Sequence, residues 1–189
     1  MNLLLHICCG PCAIYPLSIL KKQGIAVHGY FYNPNIHPYR EFSRRIQGVR
    51  ELAETIGVEV EIDSNYGLTE YLQKVVFHEQ ERCLICYAMR LEAIAQKASE
   101  KKYDAFSTTL LYSKYQNHVA IIKTGETLAR KYQIGFHYQD FRTGWQQGID
   151  QAISMNLYRQ PYCGCIYSEQ ERYDKALRKK CLTPTKGTK

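Results

Sequence analysis

Seven of the eight cysteines in this chain fall in three tight groups, Cys8-Cys9-Gly10-Pro11-Cys12, Cys83-Leu84-Ile85-Cys86 and Cys163-Gly164-Cys165. Thiolates are soft metal ligands, and groups drawn from three distant segments make sense when the fold gathers them around one or more metals. A tetrahedral zinc or an iron–sulfur cube takes four ligands. The clustered thiols exceed one such centre, so the surplus would hold a second metal, form a redox dithiol or flank an open metal position. Cys181, in a basic tail, stands apart.

Three chemistries compete for these thiols. Cys9-Gly10-Pro11-Cys12 has the CxxC spacing of a thioredoxin-like dithiol oxidoreductase, but that reading leaves Cys83, Cys86, Cys163 and Cys165 without a role. Cys83 and Cys86 with two further cysteines would make a structural zinc tetrahedron in a nucleic-acid-binding protein, again with thiols to spare. An iron–sulfur centre beside a second metal or an open dithiol uses all of them and suits reductive chemistry. A disulfide framework is disfavoured, because adjacent Cys8-Cys9 and the single-residue gap between Cys163 and Cys165 are poor bridging geometry.

The elements that must position these groups alternate along the chain. Leu3–Ile7 and Ala26–Tyr32 read as strands flanking a helix over Ala13–Lys22. A helix over Tyr39–Ile56 follows, then a strand over Val58–Ile62 and a helix over Leu68–Phe77. Beyond a loop carrying Cys83 and Cys86 come a helix over Tyr87–Lys101, a strand over Asp104–Thr108, a helix over Gln116–Tyr132 and a strand over Gly135–Tyr138. This order predicts an α/β fold, a parallel sheet covered by helices on both faces. Cys8 and Cys9 then lie at the carboxyl end of the first strand, at the switch point where open sheets collect ligands, and Cys12 opens the helix whose dipole favours thiolate.

The 189 residues, 45% of them apolar, suffice for one compact domain over residues 1–182, with residues 183–189 expected to be a disordered basic tail. The opening apolar run is too short for a secretory signal and no stretch approaches a membrane span, so a cytoplasmic location with reduced thiols is expected. A net charge of +7 with sixteen tyrosines suits a polyanion with unpaired bases, although most tyrosines are expected to pack in the core.

Several separated segments together resemble the QueH family of epoxyqueuosine reductases. They are His6-Ile7-Cys8-Cys9-Gly10-Pro11-Cys12, Phe31-Tyr32-Asn33-Pro34-Asn35-Ile36-His37-Pro38, Cys83-Leu84-Ile85-Cys86-Tyr87, Thr108-Thr109-Leu110-Leu111 with Ser113 and Tyr115-Gln116-Asn117-His118, and Leu157-Tyr158-Arg159-Gln160-Pro161-Tyr162-Cys163-Gly164-Cys165. The resemblance implies an adenine-nucleotide hydrolase-like (HUP, Rossmann-like) fold with cysteine-bearing loops over the carboxyl edge of a three-layer parallel sheet. It implies reductive removal of the epoxide oxygen of epoxyqueuosine in tRNA with a GUN anticodon, using a [4Fe–4S] cluster and a second mononuclear iron nearby. The first strand's turn carries cysteines where nucleotide-using relatives carry a Gly/Ser phosphate loop, so ATP use is not expected. Sulfur relay on tRNA is the competing enzyme reading.

On this resemblance Cys8, Cys9, Cys12, Cys83, Cys86, Cys163 and Cys165 are the metal ligands. The division expected is Cys83, Cys86 and one cysteine each from the first and third groups on the cube, with the remaining thiols on the second metal, since Cys8 and Cys9 would point to opposite sides of an extended backbone. Cys12, Tyr115 and His118 are the candidate catalytic residues, with His37, Tyr32 and Tyr112 as further proton sources. Asn33, His37, Thr108, Thr109, Asn117 and Arg159 are candidate substrate contacts, Trp145 a candidate stacking residue in a loop, and Lys21, Lys22, Arg44 and Arg45 candidate tRNA contacts. No flavin or nicotinamide fingerprint is present, so electrons must come from an external donor.

Overall fold

The computed structural model describes residues 1–176. The expected tail and Cys181 lie outside the described residues. Five parallel strands, β1 (Asn2–His6), β2 (Ala26–Phe31), β3 (Val60–Ile62), β4 (Ala105–Thr108) and β5 (Gly135–Phe136), form one sheet in the order β3-β2-β1-β4-β5. The helices are α1 (Gly10–Lys22), α2 (Tyr39–Ile56), α3 (Leu68–Val75), α4 (Arg82–Glu100), α5 (His118–Tyr132), α6 (Trp145–Ser154) and α7 (Ile166–Tyr173).

Central strands of a parallel sheet are covered on both faces and therefore read as unbroken apolar runs. Leu3, Leu4 and Leu5 of β1 obey this, and all three are buried. Contacts of α1 with α2 and α6, and of α4 with α5, arrange the helices in two layers on either side of the sheet, as right-handed crossovers require. No helix among the described residues is long and apolar enough to cross a membrane.

The chain runs outward from β1 to β3 and then returns to β4 on the other side of β1, so the sheet's switch point lies between β1 and β4. Thr108 ends β4 in register with His6, which ends β1. Cys8 and Cys9 on one side and Thr109 on the other therefore meet at this crevice.

Three expectations change. Cys83 and Cys86 are not in a loop: they occupy the first turn of α4, which begins at Arg82. The reason is that the buried apolar stripe of Tyr87, Met89, Leu91, Ile94 and Ala95 extends with helical spacing back to Cys86, and Cys83 lies in the turn that opens the same helix. Trp145 is not in a loop either; it opens α6, half-buried, and stacks on Tyr112 with ring centroids 5.1 Å apart. Arg45 is not on the surface but 2% exposed within α2, because Glu41 one turn earlier neutralises it at 2.7 Å.

Candidate metal centre

The first thiol group forms where the chain leaves β1. Cys9 is the N-cap of α1 in an extended conformation, Pro11 stands in the first turn, and Cys12 follows one turn on. Gly10 is required there because α1 crosses α2 closely: a Cβ would lie 2.6 Å from the carbonyl oxygen of Gly48. This turn does not send Cys8 and Cys9 to opposite sides as an extended strand would. Their sulfurs are 3.8 Å apart, and those of Cys8, Cys9 and Cys12 all lie within 4.8 Å of one another.

Thr109 fixes Cys8 twice. Its Oγ1 accepts the Cys8 backbone N–H at 3.1 Å and donates to the Cys8 sulfur at 3.3 Å. The Cys8 thiol lies well below the usual thiol range because Cys12 and Cys9 hydrogen-bond to its sulfur, with Thr109 and His6 assisting against burial. Burial pushes the Cys9 thiol up, and the hydrogen bond to Cys8 holds the Cys12 proton. Gln160 Nε2 lies 3.4 Å from the Cys12 sulfur, a further donor.

The second group assembles Cys83 and Cys86 of α4 with Cys163 and Cys165 of the loop before α7, all lining one cavity of about 210 Å³. The loop is held from several sides. Arg45 donates to the carbonyls of Cys163 at 2.7 Å and Tyr162 at 2.9 Å, the His37 N–H donates to the Gly164 carbonyl at 2.8 Å, and the Tyr162 hydroxyl donates to the His37 carbonyl at 2.5 Å. Glu41, which pairs with Arg45, also accepts the Tyr158 hydroxyl. Gln116 Nε2 donates to the Cys163 sulfur at 3.1 Å, and Tyr87 donates to Gln116 Oε1 at 2.9 Å. Burial pushes the Cys83 thiol up and that of Cys86 up to about 12. All seven described cysteines are free thiols.

The geometry therefore groups the cysteines three and four, and no thiol of the first group lines the cavity of the second. A single ion with metal–sulfur bonds of about 2.3 Å sets its tetrahedral thiolates about 3.8 Å apart. The triad fits such an ion. Among the described residues no three thiols of the quartet are that close, which suits a polynuclear cluster whose sulfides separate its ligands. Two buried donors without partners, Tyr71 Oη and Arg90 Nη2, belong to residues lining the same cavity, where sulfur ligands of a cluster would be available acceptors. A thioredoxin-like role fits poorly, because its attacking thiol must be accessible while Cys9 and Cys12 are 1% and 8% exposed.

The remaining candidates sort by position. Tyr115 lines the cavity mouth and is 84% exposed. His118 does not line it: its Nε2 meets Tyr138 Oη at 3.2 Å, and burial, with Arg142 nearby, lowers its pKa. Asn33 is buried, donates to the Ile7 carbonyl at 2.9 Å and accepts from Arg90 at 3.4 Å, so it braces β1 and offers no free edge to a base. Thr108 is likewise occupied, capping the following turn and meeting His6 Nδ1 at 2.9 Å. Asn117 caps α5 through Ala120 N–H. His37 is buried, with both ring nitrogens unpartnered, against Tyr66 and Tyr71. Arg159 and Arg44 are exposed, and Arg44 lies over the Tyr158 ring. Tyr32 reaches Glu70, and Tyr112 donates to the Trp145 carbonyl at 2.8 Å. Sequence reasoning missed Arg90 and the thiol-bonding roles of Gln116 and Gln160; the one available signal was a charged residue four positions after Cys86 on an apolar helix face.

Comparison with known proteins identifies the family. The family model for epoxyqueuosine reductase QueH matches residues 3–171. Epoxyqueuosine reductase QueH of Dehalococcoides mccartyi is 39% identical over 174 residues, covering 92% of this chain and 96% of the relative. That of Thermotoga maritima is 32% identical over 184 residues, covering 92% and 93%. A Methanocaldococcus jannaschii structure described as a predicted subunit of tRNA methyltransferase shares the fold, with a TM-score of 0.53 and 15% identity over 81% of this chain and 76% of that one. The chain belongs to the epoxyqueuosine reductase QueH family.

Proposed function

We propose that the two thiol groups divide the work of an epoxyqueuosine reductase: Cys83, Cys86, Cys163 and Cys165 hold a [4Fe–4S] cluster, and Cys8, Cys9 and Cys12 hold a second, mononuclear iron. The observation that carries this is the spacing of the thiols: those of the triad lie within 4.8 Å of one another, while no three of the four around the cavity do. Removing the epoxide oxygen to leave an alkene consumes two electrons and two protons and releases water. A cluster supplies single electrons at low potential, and an iron with three protein ligands and an open position supplies Lewis acidity at the oxygen.

The chain's own groups do the rest. Thr109 and Gln160 hold the Cys8 and Cys12 sulfurs in place, and Gln116 holds Cys163. Tyr115, exposed and lining the four-cysteine cavity, is the group proposed to meet the incoming base and to deliver a proton. The substrate is epoxyqueuosine in tRNA with a GUN anticodon, whose splayed loop bases can be drawn into a small protein. Exposed Arg159, Arg44, Lys21 and Lys22 supply phosphate contacts, electrons arrive from an external donor, and the protein works in the cytoplasm.

The test is iron, acid-labile sulfide and zinc content on oxygen-free protein, followed by incubation with epoxyqueuosine tRNA and a reductant. About four sulfides with more than four irons per chain, and product nucleoside lighter by one oxygen, are expected. Stoichiometric zinc without sulfide, or sulfur gained by the RNA, would overturn the reading.

A further inference from the structure

Two arginines are buried beside the thiols, and their surroundings differ. Arg45 has a partner at each nitrogen: Glu41 answers its charge at Nε, 2.7 Å away, and the carbonyls of Cys163 and Tyr162 accept from Nη1 and Nη2. Arg90 is 2% exposed and has no carboxylate partner among the described residues. Its Nε donates weakly to the Cys86 carbonyl at 3.3 Å, its Nη1 to Asn33 Oδ1 at 3.4 Å, and its Nη2 has no partner.

A buried cation without a counter-charge is costly, so something in its surroundings must carry negative charge. The candidates are thiols. Arg90 lines the four-cysteine cavity, one helical turn from Cys86, and through Asn33 it is tied to the Ile7 carbonyl immediately before Cys8. This one side chain thus lies in the wall of the quartet's cavity and is linked through Asn33 to the turn that carries the triad.

We propose that Arg90 is the counter-charge shared by the two thiol groups, and that its guanidinium raises the reduction potential of the cluster held at the cavity. This rests on the metal reading given above. Reduction adds negative charge to the centre, and a fixed cation beside it in a low-dielectric site favours the reduced state. The unpartnered Nη2, on a residue lining the cavity, is the hydrogen-bond donor available for this role. Arg90 is a positioning and tuning residue, distinct from the ligands.

The experiment compares the wild-type chain with R90K and R90M, measuring iron and sulfide content and then the midpoint potential by titration followed in absorption and electron paramagnetic resonance. Wild-type protein without iron and sulfide would overturn the metal reading itself. With wild type loaded, R90M is expected to shift the midpoint to more negative values or to lose the cluster, while R90K loads as wild type does and keeps most of its potential. A loaded R90M with unchanged potential would overturn the role of Arg90. So would an R90K that shifts or fails as R90M does, since charge would then not be the property that matters.

Discussion

The triad and the quartet of cysteines are built by opposite means. Cys8, Cys9 and Cys12 belong to the main hydrophobic core, at the end of the central strand and the start of a helix packed backbone to backbone on its neighbour. Cys86 and Cys165 sit in a small satellite cluster with Tyr71, Val75 and Met89, and Cys83 and Cys163 are exposed at its edge. The first site is made by rigid secondary structure within five residues. The second needs a helix and a loop about eighty residues apart to be clamped by side chains. A site inside the core keeps its geometry without a ligand, whereas a site on a clamped loop depends on each clamp and gains stability from whatever it binds.

Single-ligand variants test that contrast most strongly. Cys86→Ala should abolish the visible absorption and acid-labile sulfide, whereas Cys8→Ala should keep the sulfide and lose turnover; equal sulfide loss in both would merge the two sites into one. Gly164→Ala should be nearly as severe for the quartet, since a Cβ there would lie 2.9 Å from Asn35 Nδ2 at a φ of +156°. Its sulfide content should fall while any metal on the triad remains, measured by metal analysis after reconstitution.

Thr109→Val removes the hydroxyl that serves both the backbone and the sulfur of Cys8. Loss of such a supporting group weakens metal affinity by about 10–100-fold, and here the loss should appear in competition with a chelator and leave the cluster spectrum unchanged. The loop clamps carry a pH signature as well. Burial lowers the His37 pKa from 6.5 to about 4, so the unfolded chain binds more protons between those values. Stability of the metal-free protein should therefore be full above pH 6.5 and be lost as pH falls towards 4, by on the order of 2 kcal/mol. His37→Phe should flatten that part of the denaturation profile; an unchanged slope would show that His37 is not buried neutral. The smallest effect belongs to the surface: Arg44→Glu with Lys21→Glu should weaken tRNA binding several-fold and reduce its salt dependence. Arg45 is excluded from that variant because it holds the Cys163 loop.

The fold was largely legible because parallel sheets print themselves on sequence. Leu3-Leu4-Leu5 flanked by turn residues marks a central strand, and the helix over Tyr39–Ile56 is observed with the bounds its periodicity predicts. The start of α4 differs from the sequence expectation because two cysteines at metal-like spacing suggest a loop, while the buried stripe of the helix reaches back to Cys86. His118 and Asn117 show the limit in the site: a helix start near a motif looks functional, yet Asn117 caps its helix and His118 faces Tyr138. Nothing local distinguishes a polar group that reaches a cavity from one that satisfies a neighbour.

The sequence by itself determined the chemistry available here, seven clustered thiols on an α/β scaffold, because ligand type and hydrophobic period are properties of adjacent residues. Tertiary structure alone decided the partition of those thiols into three and four, the burial of Arg45 against Glu41, and the isolation of Arg90 between the two groups. Those facts depend on distances between segments far apart in the chain. Such distances are set by how helices cross and where the sheet reverses, which no single segment encodes.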